Sequence, residues 1–453
     1  MRGVSGRGVG TPRGGATTRH QLSDVPRVSM RRIVLFLIVC WAFQPSAAGA
    51  AGPIAQGETV DLSRCVAIAL DRHPSILAAA GTLRAGETRI GQARSGYYPQ
   101  VGGSAGYSRT EPISTSGLGG AYDSYSSNLS LSQNLYDFGK TSTQVRIQEL
   151  NRDSSRSDLA NVRTQVIFAV SQAFYGVLQT RRNRDVNREV VGQFQQHLEQ
   201  ARAFYEIGTK PKFDVTKAEV DLSNARLNLL RAENAFRLAQ VALNNAIGLP
   251  EAPEYDLSDE PSFQRVEVDL EETLRRAYDR RPDLRSLAER KRALEEAIVL
   301  ARKGYYPSLA GNASYGWGGG SFPLDQGWSF GASVNIPLFS GYSTKYQVEE
   351  AQANLEVVTA NDVSLRQAIY QEVKQAWLNL AAAADQVETA ALSVRQAGEN
   401  LELANGRYAA GVGSPIEVTD ALVAASNAKT SYNSALYDYK VAQASLEKAA
   451  GGR

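Results

Sequence analysis

Few residues of this 453-residue chain carry the side chains from which active sites are built: three histidines and two cysteines. His73 precedes Pro74 in what reads as a solvated turn, and His197 lies within a polar run of helical spacing. Neither has a partner at zinc-type spacing. Cys65 reads as a small apolar residue on a helix face, and one cysteine makes neither an intramolecular disulfide nor a metal cluster. After residue 50 there is no nucleophile elbow and no phosphate loop. The earlier Gly6-Arg7-Gly8-Val9-Gly10 stretch has no strand before it and no helix after it. The reading is therefore of a protein that is not an enzyme and uses no cofactor or metal. Two turns stand out instead, Gly208 followed by Pro211 and Gly411 followed by Pro415. Glycine followed by proline ends one helix and turns into the next.

Charge narrows the partners. The formal net charge is +2, but residues 1–50 hold seven arginines and one acid, Asp24. Without them 42 basic and 46 acidic residues remain, with no basic stripe interleaved with aromatics, so nucleic acid is not an expected partner. The N-terminus reads as an extension and signal peptide over residues 1–50. Arg31-Arg32 forms a basic flank, Ile33 to Phe43 an apolar core too short to span a bilayer, and Ala48-Gly49-Ala50 a cleavage site. Met30 is an alternative start. Cys40 follows Val39, where a lipid-attachment motif wants a small residue, which argues against acylation. No later apolar run reaches the ~20 residues of a spanning helix.

The elements that must carry those turns are written twice. Val60-Asp61-Leu62 recurs as Val268-Asp269-Leu270, Asp71-Arg72-His73-Pro74 as Asp279-Arg280-Arg281-Pro282, and Gly96-Tyr97-Tyr98-Pro99 as Gly304-Tyr305-Tyr306-Pro307, each 208 residues on. Further along the offset is 203, matching Tyr205 and Gly208 to Tyr408 and Gly411, and Val215-Thr216 to Val418-Thr419. The five-residue change falls between Tyr107 and Leu135, where a hairpin loop is expected. The chain divides into a first repeat over 51–250, a linker over 251–267 marked by Pro253 and Pro261, and a second repeat over 268–453.

Each copy changes period along its length. Strand hairpins are expected at about 97–137 and 305–339, where apolar residues such as Leu129 and Leu131, or Trp328, Phe330 and Val334, alternate with serine, asparagine and glycine. Tyr97, Tyr98, Tyr136, Tyr305, Tyr306 and Phe339 border these segments, the pattern of a transmembrane barrel. Four strands are too few to close one, since the smallest have ~8, so several chains must associate. Between the strands run long helices. Val215, Ala218, Leu222, Ala225 and Leu229 keep 3-4 spacing, as do Val418, Ala421, Ala425, Ala428 and Tyr432, which predicts coiled coils.

In the order and spacing of these motifs the chain resembles the TolC-like outer membrane factor family of outer membrane efflux proteins. The carriers are the Asp-Arg-His/Arg-Pro turns, the Gly-Tyr-Tyr-Pro strand starts, Leu135-Tyr136-Asp137-Phe138-Gly139 with Leu338-Phe339-Ser340-Gly341-Tyr342, and the Tyr-x-x-Gly turns. The resemblance implies a fold of mixed transmembrane β-barrel and long α-helical coiled-coil barrel, with two tandem repeats and four β-strands per chain in a trimeric twelve-stranded barrel. It implies a homotrimer in the outer membrane that extends into the periplasm as a passive exit duct of a tripartite efflux pump or type I secretion system. Its partners would be a periplasmic adaptor protein, an inner-membrane pump reached through that adaptor, and outer-membrane lipid. It puts Gly208 and Gly411 at the periplasmic tip, Glu417 and Asp420 in a ring of carboxylates lining the aperture, and Tyr408 and Asp214 at positions that form closing links in some relatives. Gly413 stands where some relatives carry a basic residue, which leaves that ionic link in question. A competing reading is a trimeric coiled-coil surface protein with a barrel anchor, but strand hairpins in both halves argue against an anchor at one end.

Overall fold

The computed structural model describes residues 54–111, 120–258 and 262–452. The signal segment with Cys40, the core of the first hairpin loop and Pro261 lie outside the described residues.

The elements occur in two matching series. The first is β1 (Thr59–Val60), α1 (Leu62–Arg72), α2 (Pro74–Arg94), β2 (Gln100–Thr110), β3 (Tyr122–Tyr136), α3 (Lys140–Glu206) and α4 (Lys212–Ala246). The second is β4 (Asp256–Leu257), α5 (Leu270–Arg280), α6 (Pro282–Arg302), β5 (Ser308–Gly319), β6 (Asp325–Asn335), α7 (Ser343–Ala409) and α8 (Pro415–Ala449). The short helices begin at matching caps. Asp61 accepts from the Arg64 amide, and Asp269 from the amides of Glu271 and Glu272. They break at His73 and Arg281, whose extended backbone leads into Pro74 and Pro282 at the first position of the next helix.

The four long strands form one antiparallel sheet in the order β2-β3-β5-β6. Its register aligns the alternation of all four. Val101, Leu131, Ala313 and Phe330 form one cross-strand row, and Gly103, Leu129, Tyr315 and Trp328 another on the same face. The opposite face carries rows such as Gly102, Ser130, Ser314 and Ser329. The large apolar residues of the first face, among them Val101, Trp328 and Phe330, are exposed. The segment joining β2 to β3 is longer than that joining β5 to β6, which accounts for the change of repeat offset.

At each corner from sheet to helix two consecutive residues take left-handed backbone. They are Phe138 and Gly139 at φ 54° and 80°, and Gly341 and Tyr342 at 60° and 65°. Phe138 and Tyr342 adopt an angle that bulky residues rarely hold. Lysines brace the first corner. Lys303 Nζ donates to the Gly139 carbonyl at 2.8 Å, and Lys140 Nζ to the Tyr306 carbonyl at 3.2 Å.

Below the corners α3 and α7 each run 67 residues, and α4 and α8 each run 35. At 1.5 Å per residue these lengths correspond to ~100 Å and ~50 Å. The seam of α4 is buried or half-buried at every expected position from Val215 to Ala246, and so is that of α8 from Val418 to Ala449. One core packs α1 against the middle of α3, and another packs α5 against α7 and α8. A third, at the far end of the hairpins, joins all four long helices.

The linker holds structure that the sequence did not reveal. β4 pairs in parallel with β1, Thr59 opposite Asp256 and Val60 opposite Leu257. The four-strand expectation holds for the main sheet, and this two-residue ladder is additional.

Candidate functional site at the helical turns

The far end of the molecule is built by two turns of the same design. In the first, Gly208 at φ +76° donates its amide to the Tyr205 carbonyl and Thr209 donates to that of Phe204, both at 3.0 Å. In the second, Gly411 at φ +79° donates to the Tyr408 carbonyl at 3.0 Å and Val412 to that of Arg407 at 3.1 Å. Both are left-handed glycine caps that satisfy the last carbonyls of a helix. Gly413 tightens the second, with its amide 2.9 Å from the Arg407 carbonyl oxygen. A Cβ there would sit 2.8 Å from the Tyr408 nitrogen and 2.9 Å from the Arg407 carbonyl carbon. In this backbone the position therefore admits no side chain, basic or otherwise.

A basic residue reaches the place from the other repeat. Lys210, the counterpart of Gly413 at the 203-residue offset, lies 3.5 Å from the Gly413 carbonyl oxygen and 5.7 Å above the Tyr408 ring.

Behind the turns, Phe194, Leu198 and Ala201 of α3, Ala218, Leu222 and Ala225 of α4, Ala404 and Tyr408 of α7, and Val418, Ala421 and Leu422 of α8 form one apolar cluster. Alanine is what lets four helices approach this closely. Tyr408, 1% exposed, is its largest member, its ring 5.0 Å from that of His197 and 5.6 Å from that of Phe204. Burial, with the charge of Asp214 second, pushes the Tyr408 phenol above its usual range. Asp214 is buried too, but the Tyr408 hydroxyl has no hydrogen-bond partner among the described residues. The structure thus brings Tyr408 and Asp214 to one buried tip without a hydrogen bond between them.

Glu417 and Asp420 lie one helical turn apart at the start of α8, both exposed. Glu417 Oε2 is 3.3 Å from Arg407 Nε, with 48% of its side chain open to solvent. A surface pair of this kind contributes about 1 kcal/mol at most.

The structure corrects the reading of His197 as part of a polar run: it is 4% exposed and its Nδ1 has no partner among the described residues. Desolvation holds its imidazole below the ordinary histidine value, against the opposing charge of Asp221. Its place between Phe194 and Leu198 was the available signal, masked by the glutamines around it. His73 accepts from the Ser75 amide as a helix cap. Cys65 is buried, and desolvation pushes its thiol up to about 12. Among the described residues no group of three or more His, Cys, Asp or Glu could hold a metal, and no helix is long and apolar enough to cross a membrane.

The sheet is what can meet lipid. It exposes rows of aromatic and aliphatic side chains on one face and uncharged hydroxyls and glycines on the other, and it leads into helical hairpins whose surfaces suit water. That combination defines a channel-type membrane protein with a long water-exposed extension. The chain belongs to the outer membrane efflux protein family, whose model matches residues 66–249 and 273–452. It is 26% identical over 378 residues to Protein CyaE of Bordetella pertussis, spanning 80% of this chain and 76% of that one. It is 22% identical over 397 residues to the outer membrane protein TolC of Escherichia coli, spanning 84% and 80%. Its fold matches the crystal structure of the Campylobacter jejuni CmeC outer membrane channel with a TM-score of 0.75, at 20% identity over 86% of this chain and 85% of that one. The protein is an outer-membrane efflux channel that extends into the periplasm.

Proposed function

We propose that three copies of this chain form one twelve-stranded barrel continued by a hollow helical barrel, a passive duct with no catalytic activity of its own. The observation that carries this reading is the main sheet: β2 and β6 are its edge strands, and its apolar face is exposed. An unpaired strand edge is not tolerated in hydrocarbon, so the edges must meet those of identical neighbours. The polar face then lines a lumen of serine, asparagine and glycine, which passes hydrated solutes without strong attraction.

The helical tip is the gate and the docking point for a periplasmic adaptor, through which an inner-membrane pump or a type I secretion machine supplies the energy. Glu417 and Asp420 repeat three times around the aperture as a ring that favours cations. Tyr408 and Asp214 sit where the gate's inner wall is anchored, and Gly208 and Gly411 form the turns the adaptor meets. Purified protein in detergent is expected to run as a trimer and to conduct ions across planar bilayers. Replacing Glu417 and Asp420 together with alanine is expected to reduce cation selectivity and block by multivalent cations. Unchanged selectivity would remove the ring from the account, and a monomer that conducts nothing would end the duct reading.

A further inference from the structure

A hydrogen bond that the carboxylate ring does not need joins the two helical hairpins just behind it. Thr419 Oγ1 of α8 donates to Asp221 Oδ2 of α4 at 3.0 Å. Each residue is 9% exposed. Lys217 Nζ lies 2.6 Å from both oxygens of the same carboxylate, one turn earlier in α4. A carboxylate in so closed a place is costly without donors, and Lys217 and Thr419 supply them from opposite hairpins. Drawing α8 away from α4 removes the donor that Thr419 provides and opens that side of the carboxylate.

The two halves of the chain are not equivalent here. At the 203-residue offset the counterparts of Lys217 and Asp221 are Asp420 and Ala424, so the second hairpin lacks both the cation and the acceptor. The counterpart of Thr419 is Thr216, whose hydroxyl bonds the Lys212 carbonyl of its own helix at 3.3 Å. The acceptor therefore comes from the first hairpin alone and the donor from the second. Thr419 also lies between Glu417 and Asp420 within one turn of α8, so whatever holds Thr419 in place holds those two acids as well.

We infer that Asp221 and Thr419 are the latch that holds the α7–α8 hairpin against the α3–α4 hairpin and keeps the tip aperture narrow, with Lys217 fixing the carboxylate. The inference rests on the duct reading above and names the residues that regulate that gate. They are positioning residues: they act by holding the helix that bears the acidic pair. The Lys210 contact with the Gly413 carbonyl is a longer strap across the same interface.

Trimers of the full chain in planar bilayers test this. Thr419→Val keeps the shape, removes the hydroxyl and leaves Asp221 paired with Lys217. It is expected to raise the time spent in the high-conductance state about tenfold, the population change that one charge-assisted hydrogen bond sustains. Thr419→Ser restores the donor and is expected to behave as wild type. Thr419→Val combined with Asp221→Ala is expected to open no further than Asp221→Ala alone. Trimer melting in detergent should be unchanged for Thr419→Val, which separates a latch from general stabilisation. If Asp221→Ala does not assemble, the contrast of Thr419→Val with Thr419→Ser decides. A wild-type trimer that conducts, with Thr419→Val gating identically, overturns the latch and leaves the duct standing. A wild type that forms trimers and passes no current overturns both.

Discussion

Gly413 shows how one residue can fix what its neighbours must be. Its amide closes the second turn, and the space a Cβ would need is taken by the backbone of Arg407 and Tyr408. Gly413→Ala is expected to cost ~1–3 kcal/mol through a forced backbone shift, seen as faster amide exchange over residues 407–418. His197 is a second sensitive point. Asp221, Lys217 and Asp214 act on it from α4, and the Tyr408 ring faces it from α7. Its folded pKa lies below the unfolded value of ~6.5, so its contribution is fully present above that value. As pH falls from there through the lower folded pKa the unfolded form takes up the proton first, and tip stability is lost. Amide exchange over 194–201, corrected for intrinsic rates, should therefore rise between about pH 7.5 and pH 5, and His197→Gln should flatten the rise. Glu417, Asp420 and Asp214 could be named through the family resemblance, which the glycine-then-proline turns before them help to carry. Asp221 could not, because Lys217 four residues before it reads as an ordinary surface helix pair, and only the fold brings Thr419 to it from 198 residues away.

The helices were the most legible elements. A seven-residue seam maintained over 35 residues has one physical solution, and the alternation of alanine with larger residues foretold close packing. Ala421, almost fully buried among the four helices of the tip, tests this. Ala421→Leu is expected to destabilise by ~1–3 kcal/mol through overpacking, while Val423→Leu, on the exposed side of the same helix, should leave the melting temperature unchanged. The strand pairs were legible from their period, but their sheet order was not. Tandem repeats could have paired either way, and only the register shows β3 beside β5 at the centre. The ladder of β1 and β4 left no trace, since two residues cannot display a period and the linker prolines argued for irregular chain.

For the whole molecule, the membrane-facing surface follows from which face of the sheet carries the aromatic rows. Phe330→Arg is expected to cost ~2–4 kcal/mol in lipid and to deplete trimer from outer-membrane fractions. Ser329→Thr, one residue away on the polar face, should assemble normally. Fractionation with unboiled gel electrophoresis distinguishes the two. The four strands of the main sheet were legible from their alternation, whereas the arrangement of hairpins at the tip depends on contacts between halves that no local pattern encodes.

The two long hairpins match residue for residue, 67 with 67 and 35 with 35. Six such hairpins hung from a common collar would finish level, giving a receiving partner a flush rim. Removing seven residues from each arm of one hairpin would draw three of the six tips back by ~10 Å and spoil the seal while leaving the membrane portion intact. Trimming both hairpins alike would merely shorten the pipe, so a docking assay that tolerates the matched deletion and rejects the unmatched one would reveal evenness, and not length, as the quantity the duplication preserves.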